Sequence, residues 1–383
     1  MSLKKASKSI LCVFLVATLT TAFACSENPS GSSSGDTDDT ETKSEILLSD
    51  SDYARFSGRV YESDGVFYVS NTASGLKVCT DASDLYIEAE GSEVFEGKTY
   101  VCVLINGERH KTLEMGFGKQ KYALFEGLSA EKRTIEVLKS TEAQYSSLKF
   151  YSISGNGDFY KVPKPCDKKI VFFGDSITCG YGNIGSDSSA TYLTKEQDGL
   201  ETYAFLTAKK LGAEIDVLAA SGWAIVTASW HTSDMRIPRV YDKYSPLDDD
   251  MVYLDAPDYS ADYVIVNLGT NDYTYYANHA DKLKDFEDAY YAFYVNLRTS
   301  YPLAQIVLTI GMMNFESLIF TMKPYVFRVC DRAAADGDEN VSYVDLYTAV
   351  QKEDFGSNGH PSVSAHKKAA DMLYDYLISL DAQ

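Results

Sequence analysis

Positive charge is scarce in this chain. Lysine and arginine together number 35 against 55 acidic residues, giving a formal net charge of −20 at pH 7. A surface with that balance repels polyanions, so nucleic acid is not expected as a partner, whereas a neutral polymer such as a polysaccharide is compatible. Paired cysteines are missing too. Seven cysteines stand at positions 12, 25, 79, 102, 166, 179 and 330, with no Cys-x-x-Cys spacing among them, so neither a zinc site nor any other metal is expected. Several sit in apolar stretches, where a thiol behaves as a small hydrophobe. Cys79 and Cys102 fall in one segment and are the pair that could bridge. The apolar run at 10–24 is too short and too rich in small residues for a comfortable membrane span.

That run fits an export signal over residues 1–24. Lys4, Lys5 and Lys8 supply the positive start, and Ala22-Phe23-Ala24 satisfies an Ala-x-Ala cleavage rule. The same triplet before Cys25 resembles a bacterial lipobox, in which the cysteine becomes lipidated. Both readings cut before Cys25. Lipidation is favoured because it accounts for an otherwise unexplained amino-terminal thiol. It implies an exported chain at the cell surface or envelope, touching a membrane through its lipid alone. Residues 25–46 are then the lipidated cysteine and an acidic Ser/Gly/Asp/Thr tether.

The remainder is rich in core material: 45% hydrophobic and 13% aromatic, with 29 tyrosines, ample for two domains. Surplus tyrosine suits sugar stacking but is also ordinary core and rim material. Residues 47–160 read as short strands. Leu85–Glu90 alternates apolar and polar, Tyr100–Ile105 runs into the two-residue turn signal Asn106-Gly107, and 134–138 and 148–153 continue the pattern. A small antiparallel β-sandwich is expected, with His110 on a surface loop after the hairpin. Its role is either to bind carbohydrate or to brace the next domain, and bracing is the simpler reading. Gly155, Gly157, Pro163 and Pro165 mark a linker.

From 161 to 383 strands alternate with helices. Strands are expected at 169–173, 214–219, 263–268, 305–310 and 341–346, and helices at 203–211, 281–301, 324–335 and 364–380. This order implies an α/β fold, a parallel sheet with helices on both faces. Three of its strands end in polar turns containing glycine: Gly174-Asp175-Ser176, Ser221-Gly222 and Gly269-Thr270-Asn271-Asp272. In a parallel sheet these turns share one edge, where open α/β sheets place their chemistry. Gly359-His360-Pro361-Ser362 precedes the last helix. A serine, a histidine, glycine N–H groups and a side-chain amide are what acyl transfer needs: a nucleophile, a base and oxyanion donors.

The ordered set Gly-Asp-Ser, Gly, Gly-x-Asn-Asp and His-Pro resembles the SGNH (GDSL-type) hydrolases over residues 168–383. The run Gly174-Asp175-Ser176-Ile177-Thr178-Cys179-Gly180-Tyr181-Gly182, with the β-domain before it, is similar to carbohydrate esterase family 2. That resemblance implies a jelly-roll-like domain ahead of an SGNH domain, no cofactor, and removal of O-acetyl groups from plant cell-wall polysaccharides or oligosaccharides of acetylxylan or acetylmannan type, with 6-O-acetyl groups favoured. Carried over by position, Ser176 is the nucleophile and His360 the base. The N–H groups of Ser176 and Gly222 and the amide of Asn271 form the oxyanion hole, and Asp175 and Asp272 support the turns. Trp223 and Trp230 are candidates to wall a substrate pocket, with Tyr273, Tyr275 and Tyr276 behind them. SGNH enzymes commonly place an aspartate three residues before the histidine, where this chain has Ser357. A Ser–His dyad is therefore expected, its imidazole held by a backbone carbonyl, with Ser357, Asn358 or Asp354 as alternatives. The rival functions are another GDSL lipase, thioesterase or acyltransferase, and an inactive surface glycan-binding lipoprotein.

Overall fold

The computed structural model describes residues 41–92, 97–231, 234–247, 260–313, 315–350 and 354–382. The export signal, Cys25 and most of the tether expected from the sequence lie outside the described residues.

Two antiparallel sheets occupy the first part. One has the order Thr42–Lys43, Phe159–Tyr160, Gly75–Thr80, Arg133–Lys139, Thr99–Ile105, Glu108–Met115, with Ala54–Ser57 also paired to Gly75–Thr80. The other runs Val60–Ser63, Val66–Val69, Leu148–Gly155, Leu85–Gly91, Gln120–Phe125. In Leu85–Gly91 every second residue is buried, the pleat's period of two, and these residues meet Val101, Val103, Ile135 and Val137 of the facing sheet in one core. Asn106 and Gly107 both take positive φ, 51° and 77°, as a two-residue I′ turn requires. Because two residues suffice to reverse the chain, the next strand begins at Glu108 and His110 lies within it, not on a loop. Cys79 and Cys102 are buried and not bridged to one another.

The second part is a five-stranded parallel sheet in the order Glu214–Ala219, Lys169–Gly174, Tyr263–Asn267, Gln305–Thr309, Val341–Tyr343. The strand Lys169–Gly174 has neighbours on both sides and cover on both faces, hence its unbroken Ile-Val-Phe-Phe. Val171 and Phe173 pack towards helices α4 (Leu283–Ser300) and α5 (Glu316–Ala335). Ile170 and Phe172 pack towards α2 (Tyr203–Leu211) and α6 (Val363–Asp381). Helix α5 begins at Glu316, ahead of Pro324, where the sequence suggested its start. An interior proline costs about 3 kcal/mol, but the buried stripe Leu318, Ile319, Met322, Val326, Val329 and Cys330 continues through it, and each such side chain gains about 1.5–3 kcal/mol from burial. The last strand stops at Tyr343 because Asp345 caps a 3₁₀ turn at Leu346–Ala349.

The sandwich is fastened to the α/β part by buried polar grips. The Arg59 guanidinium meets Asp216 at 3.0 and 3.1 Å and donates to the carbonyls of Tyr241 and Lys243. Cys102, Leu104 and Leu138 of the sandwich share an apolar cluster with Leu200.

Candidate active site

Ser176 opens α1 (Ser176–Cys179) directly after the Lys169–Gly174 strand. Each residue of Gly-Asp-Ser has a local reason. A Cβ at Gly174 would collide with the Thr178 side chain. Asp175 caps the helix, its Oδ1 accepting the Ile177 N–H at 3.0 Å. Gly180, at φ +81°, closes the helix after one turn, leaving Ser176 at the sheet edge.

His360 arrives on a loop stitched to the segment after α1. Ser357, Asn358 and Gly359 donate their N–H groups to the carbonyls of Gly182, Ala190 and Ser188 at 2.9, 3.1 and 3.0 Å. Asn358 takes a left-handed conformation, φ 53°, and its carbonyl meets His360 Nδ1 at 3.2 Å. A carbonyl only accepts, so the proton belongs on Nδ1 and the Nε2 lone pair faces Ser176 Oγ at 2.8 Å. Burial, with 8% of the residue exposed, pushes the His360 pKa down to about 4, which keeps the imidazole neutral at neutral pH. The other candidate supports point elsewhere. Ser357 Oγ donates to Glu196 at 2.9 Å, and Asp354 takes the Lys368 ammonium at 2.5 Å. The Tyr181 ring lies 4.4 Å from that of His360 and stacks on Tyr192.

Ser221 and Gly222 follow the Glu214–Ala219 strand, and Asn271 lies in the first turn of α3 (Thr270–Tyr276). Gly222 has φ +83°, a conformation that favours glycine. The Asn271 amide donates to the Trp223 carbonyl at 2.7 Å and lies 3.4 Å from Asp175 Oδ2. The Asp272 carboxylate accepts the N–H groups of Ile225, Val226 and Thr227 at 3.0, 2.8 and 3.3 Å. Burial raises both aspartates, Asp175 to about 7 and Asp272 to about 6. His231 joins this turn: its Nδ1 accepts the Ala228 N–H, so its Nε2–H donates to the Gly222 carbonyl at 2.8 Å.

Residues 170–373, over half of the chain, match the GDSL-like lipase/acylhydrolase family. The chain belongs to that family. Residues 56–163 match the carbohydrate esterase 2 N-terminal domain. The chain is 27% identical over 307 residues to the cellulase/esterase CelE of Acetivibrio thermocellus, covering 78% of this chain and 37% of CelE. It is 26% identical over 240 residues to an acetylxylan esterase/glucomannan deacetylase of Cellvibrio japonicus, covering 62% of this chain and 64% of that protein. The chain thus spans less than two thirds of either relative's length. Among solved structures, the acetyl xylan esterase Est2A from the rumen bacterium Butyrivibrio proteoclasticus superposes with a TM-score of 0.78 at 26% identity, over 89% of this chain and 99% of Est2A.

In this chain Ser176, Gly222, Asn271 and His360 open on one cleft of about 630 Å³. Trp230, half exposed, lines it; Trp223 does not. Trp223 is 5% exposed and packs into the core, so the sequence expectation of a pocket wall there is corrected. Its indole is covered, with Nε1–H 3.4 Å from Oε1 of the cleft residue Gln144 and its carbonyl taken by the Asn271 amide. Tyr273 lines the cleft, whereas Tyr275 stacks on His279 and Tyr276 is buried. Met313 and Phe315, after the Gln305–Thr309 strand, add an apolar wall. Gln144 and Tyr145 also line it, from the loop between the sandwich strands Arg133–Lys139 and Leu148–Gly155. Sequence reasoning missed these, because a polar loop far upstream of the nucleophile carries no local sign that it reaches the cleft.

Proposed function

We propose that this acylhydrolase is a serine esterase that removes O-acetyl groups from plant cell-wall polysaccharides of the acetylated xylan, mannan or glucomannan type, through a Ser176–His360 dyad. The observation that carries the reading is the 2.8 Å contact between His360 Nε2 and Ser176 Oγ, with Nδ1 occupied by a carbonyl. Ser176 Oγ attacks the acetyl carbonyl carbon as His360 Nε2 takes its proton. The carbonyl oxygen becomes an oxyanion beside the Ser176 and Gly222 N–H groups and the Asn271 amide, whose longer contact to Asp175 is the one the oxyanion competes for. The intermediate collapses, the C–O bond to the sugar breaks, and the imidazolium returns its proton to the sugar oxygen. Water attacks the acetyl-serine by the same route, releasing acetate and restoring Ser176.

The named activities of Est2A and of the Cellvibrio protein support this substrate class, as does the half-exposed Trp230 beside the oxyanion turn, a surface for a sugar ring. We propose also that Cys25 is lipidated and holds the enzyme at the cell envelope. Lipid label that enters wild type but not Cys25→Ser supports this, and equal labelling of both overturns it. The activity is tested by acetate release from acetylated xylan and glucomannan. Wild type is expected to release acetate and Ser176→Ala none. Nitrophenyl esters of increasing chain length separate an acetyl esterase from a lipase or thioesterase, since the former falls steeply beyond acetate.

A further inference from the structure

The loop that brings Gln144 and Tyr145 to the cleft also carries Glu142, which is fully buried. Its carboxylate is turned to the α/β part, where it meets Ser221 and also the Cys179 thiol of α1. Oε2 accepts the Ser221 N–H at 2.7 Å and Oε1 accepts the Ser221 hydroxyl at 2.6 Å. The loop is built to hold that carboxylate still. Lys139, fully buried, donates from its Nζ to the carbonyls of Thr141 and Glu142 at 2.8 and 3.0 Å. The hydroxyls of Thr141 and Ser146 bond across the loop at 3.0 Å, and Ser140 N–H donates to the Tyr100 carbonyl.

Ser221 immediately precedes Gly222, whose N–H is the oxyanion donor in the proposed acyl transfer, on which this inference rests. On the other side of that N–H, the Gly222 carbonyl is held by His231 Nε2 at 2.8 Å. The glycine has no side chain to fix its own orientation. Its direction is therefore set from outside, by Glu142 on the residue before and by His231 on its own carbonyl.

We propose that Glu142 is a positioning residue of the oxyanion hole, by which the β-sandwich aims the Gly222 N–H at the developing oxyanion. Burying a carboxylate is costly unless its partners repay it, and two of the hydrogen bonds that do so come from Ser221, in the turn that bears the oxyanion donor, with Cys179 of α1 and the charge of Lys139 adding to them. Burial also raises the Glu142 pKa, opposed by its bonds to Ser221 and Cys179 and by the charge of Lys139. The sandwich is then more than a brace: the hydrolase part carries the reacting groups and the sandwich sets one of its donors.

The test uses the full chain and nitrophenyl acetate, with kcat, KM and Tm measured for each variant. Glu142→Ala is expected to lower kcat by about 100-fold with KM within about twofold, the size of a lost oxyanion donor. Glu142→Gln, which keeps one oxygen for Ser221, should recover part of that loss. Glu142→Ala in a Ser221→Ala background should cost little more than the worse single change. Arg59→Lys keeps the charge opposite Asp216 but loses the fork to Tyr241 and Lys243. It loosens the same contact between sandwich and sheet away from the turn, and should lower Tm while leaving kcat within about twofold. Wild-type kcat in Glu142→Gln together with Glu142→Ala overturns the proposal, as does an Arg59→Lys variant that loses kcat in step with Tm as Glu142→Ala does. Should Glu142→Ala fail to fold, wild-type kcat in Glu142→Gln alone overturns it. A wild-type chain that cleaves no ester defeats the acyl-transfer reading instead, and this proposal with it.

Discussion

His360 Nδ1 is held by the backbone carbonyl of Asn358, at 3.2 Å, while the nearby carboxylate of Asp354 is engaged by Lys368 on α6. A carbonyl fixes the tautomer as well as a carboxylate does but gives less stabilisation to the imidazolium that forms in the transition state. The left-handed Asn358 is what turns that carbonyl towards the ring.

In the proposed dyad Asp354 has no part in the chemistry. Asp354→Asn should retain kcat within about threefold, since its carboxylate takes the Lys368 ammonium of α6. In a triad the same change at the orienting aspartate costs about 10,000-fold. Activity lost as completely as in Ser176→Ala, with an intact far-UV spectrum, would make Asp354 the third member and end the dyad reading.

Asn271→Ala should fold and turn over slowly. Removing one oxyanion donor lowers kcat by about 100- to 1,000-fold. The change also frees the Trp223 carbonyl from its 2.7 Å bond, so a modest fall in Tm should accompany it. Normal kcat in a folded Asn271→Ala protein takes Asn271 out of the oxyanion hole.

The pH dependence has a definite sign. His360 must be neutral to accept a proton, and burial pushes its pKa down to about 4 from the usual 6.5 or so. The acid limb of kcat/KM, which reports the free enzyme, should therefore lie well below pH 6.5. A limb at 6.5 or above contradicts it. The buried His366 is likewise lowered, to about 3. For both residues the unfolded chain takes up a proton as pH falls below about 6.5 while the folded chain does not until its own lower pKa. Their contribution is thus a loss of stability on acidification through that window. His366→Asn should reduce that acid-side slope in urea titrations if the asparagine can accept the Tyr203 N–H that His366 Nδ1 now takes.

Ser176, Gly222 and Asn271 could be placed together from the chain because each follows the end of a strand, and His360 because it stands just before the last helix. An apolar run closing on Gly174-Asp175-Ser176 or on Gly269-Thr270-Asn271 announces both the strand and its edge. The sandwich strands were equally plain, through alternation in Leu85–Gly91 and the Asn106-Gly107 turn. What stayed hidden depends on tertiary meetings with no local pattern. Glu142 and Tyr145 look like ordinary polar loop residues until the loop is docked on the sheet edge. His231 is one histidine among five until its ring is found between Ala228 and Gly222. The start of α5 was hidden by Pro324, whose local cost is outweighed by a buried stripe visible only once the helix is placed.

The two tryptophans test the line between core and cleft. They stand seven residues apart by number, in the same turn region, and from the sequence were equivalent candidates. Trp223 is 5% exposed and Trp230 50%. Trp223→Ala should open a cavity and destabilise the fold by about 3–5 kcal/mol, read as a lower urea midpoint, because almost none of that side chain faces solvent. Trp230→Ala should leave the midpoint nearly unchanged. Its indole lies beside Gly222, within reach of the sugar in the proposed substrate, and an aromatic contact is worth about 0.5–1.5 kcal/mol beyond its buried area. KM for acetylated glucomannan should therefore rise by up to about tenfold, while kcat/KM for nitrophenyl acetate, which has no sugar to stack, changes by less than about threefold. An equal loss on both substrates would place Trp230 in the acyl or oxyanion machinery instead, and no loss on either would leave the cleft without the aromatic wall assigned to it.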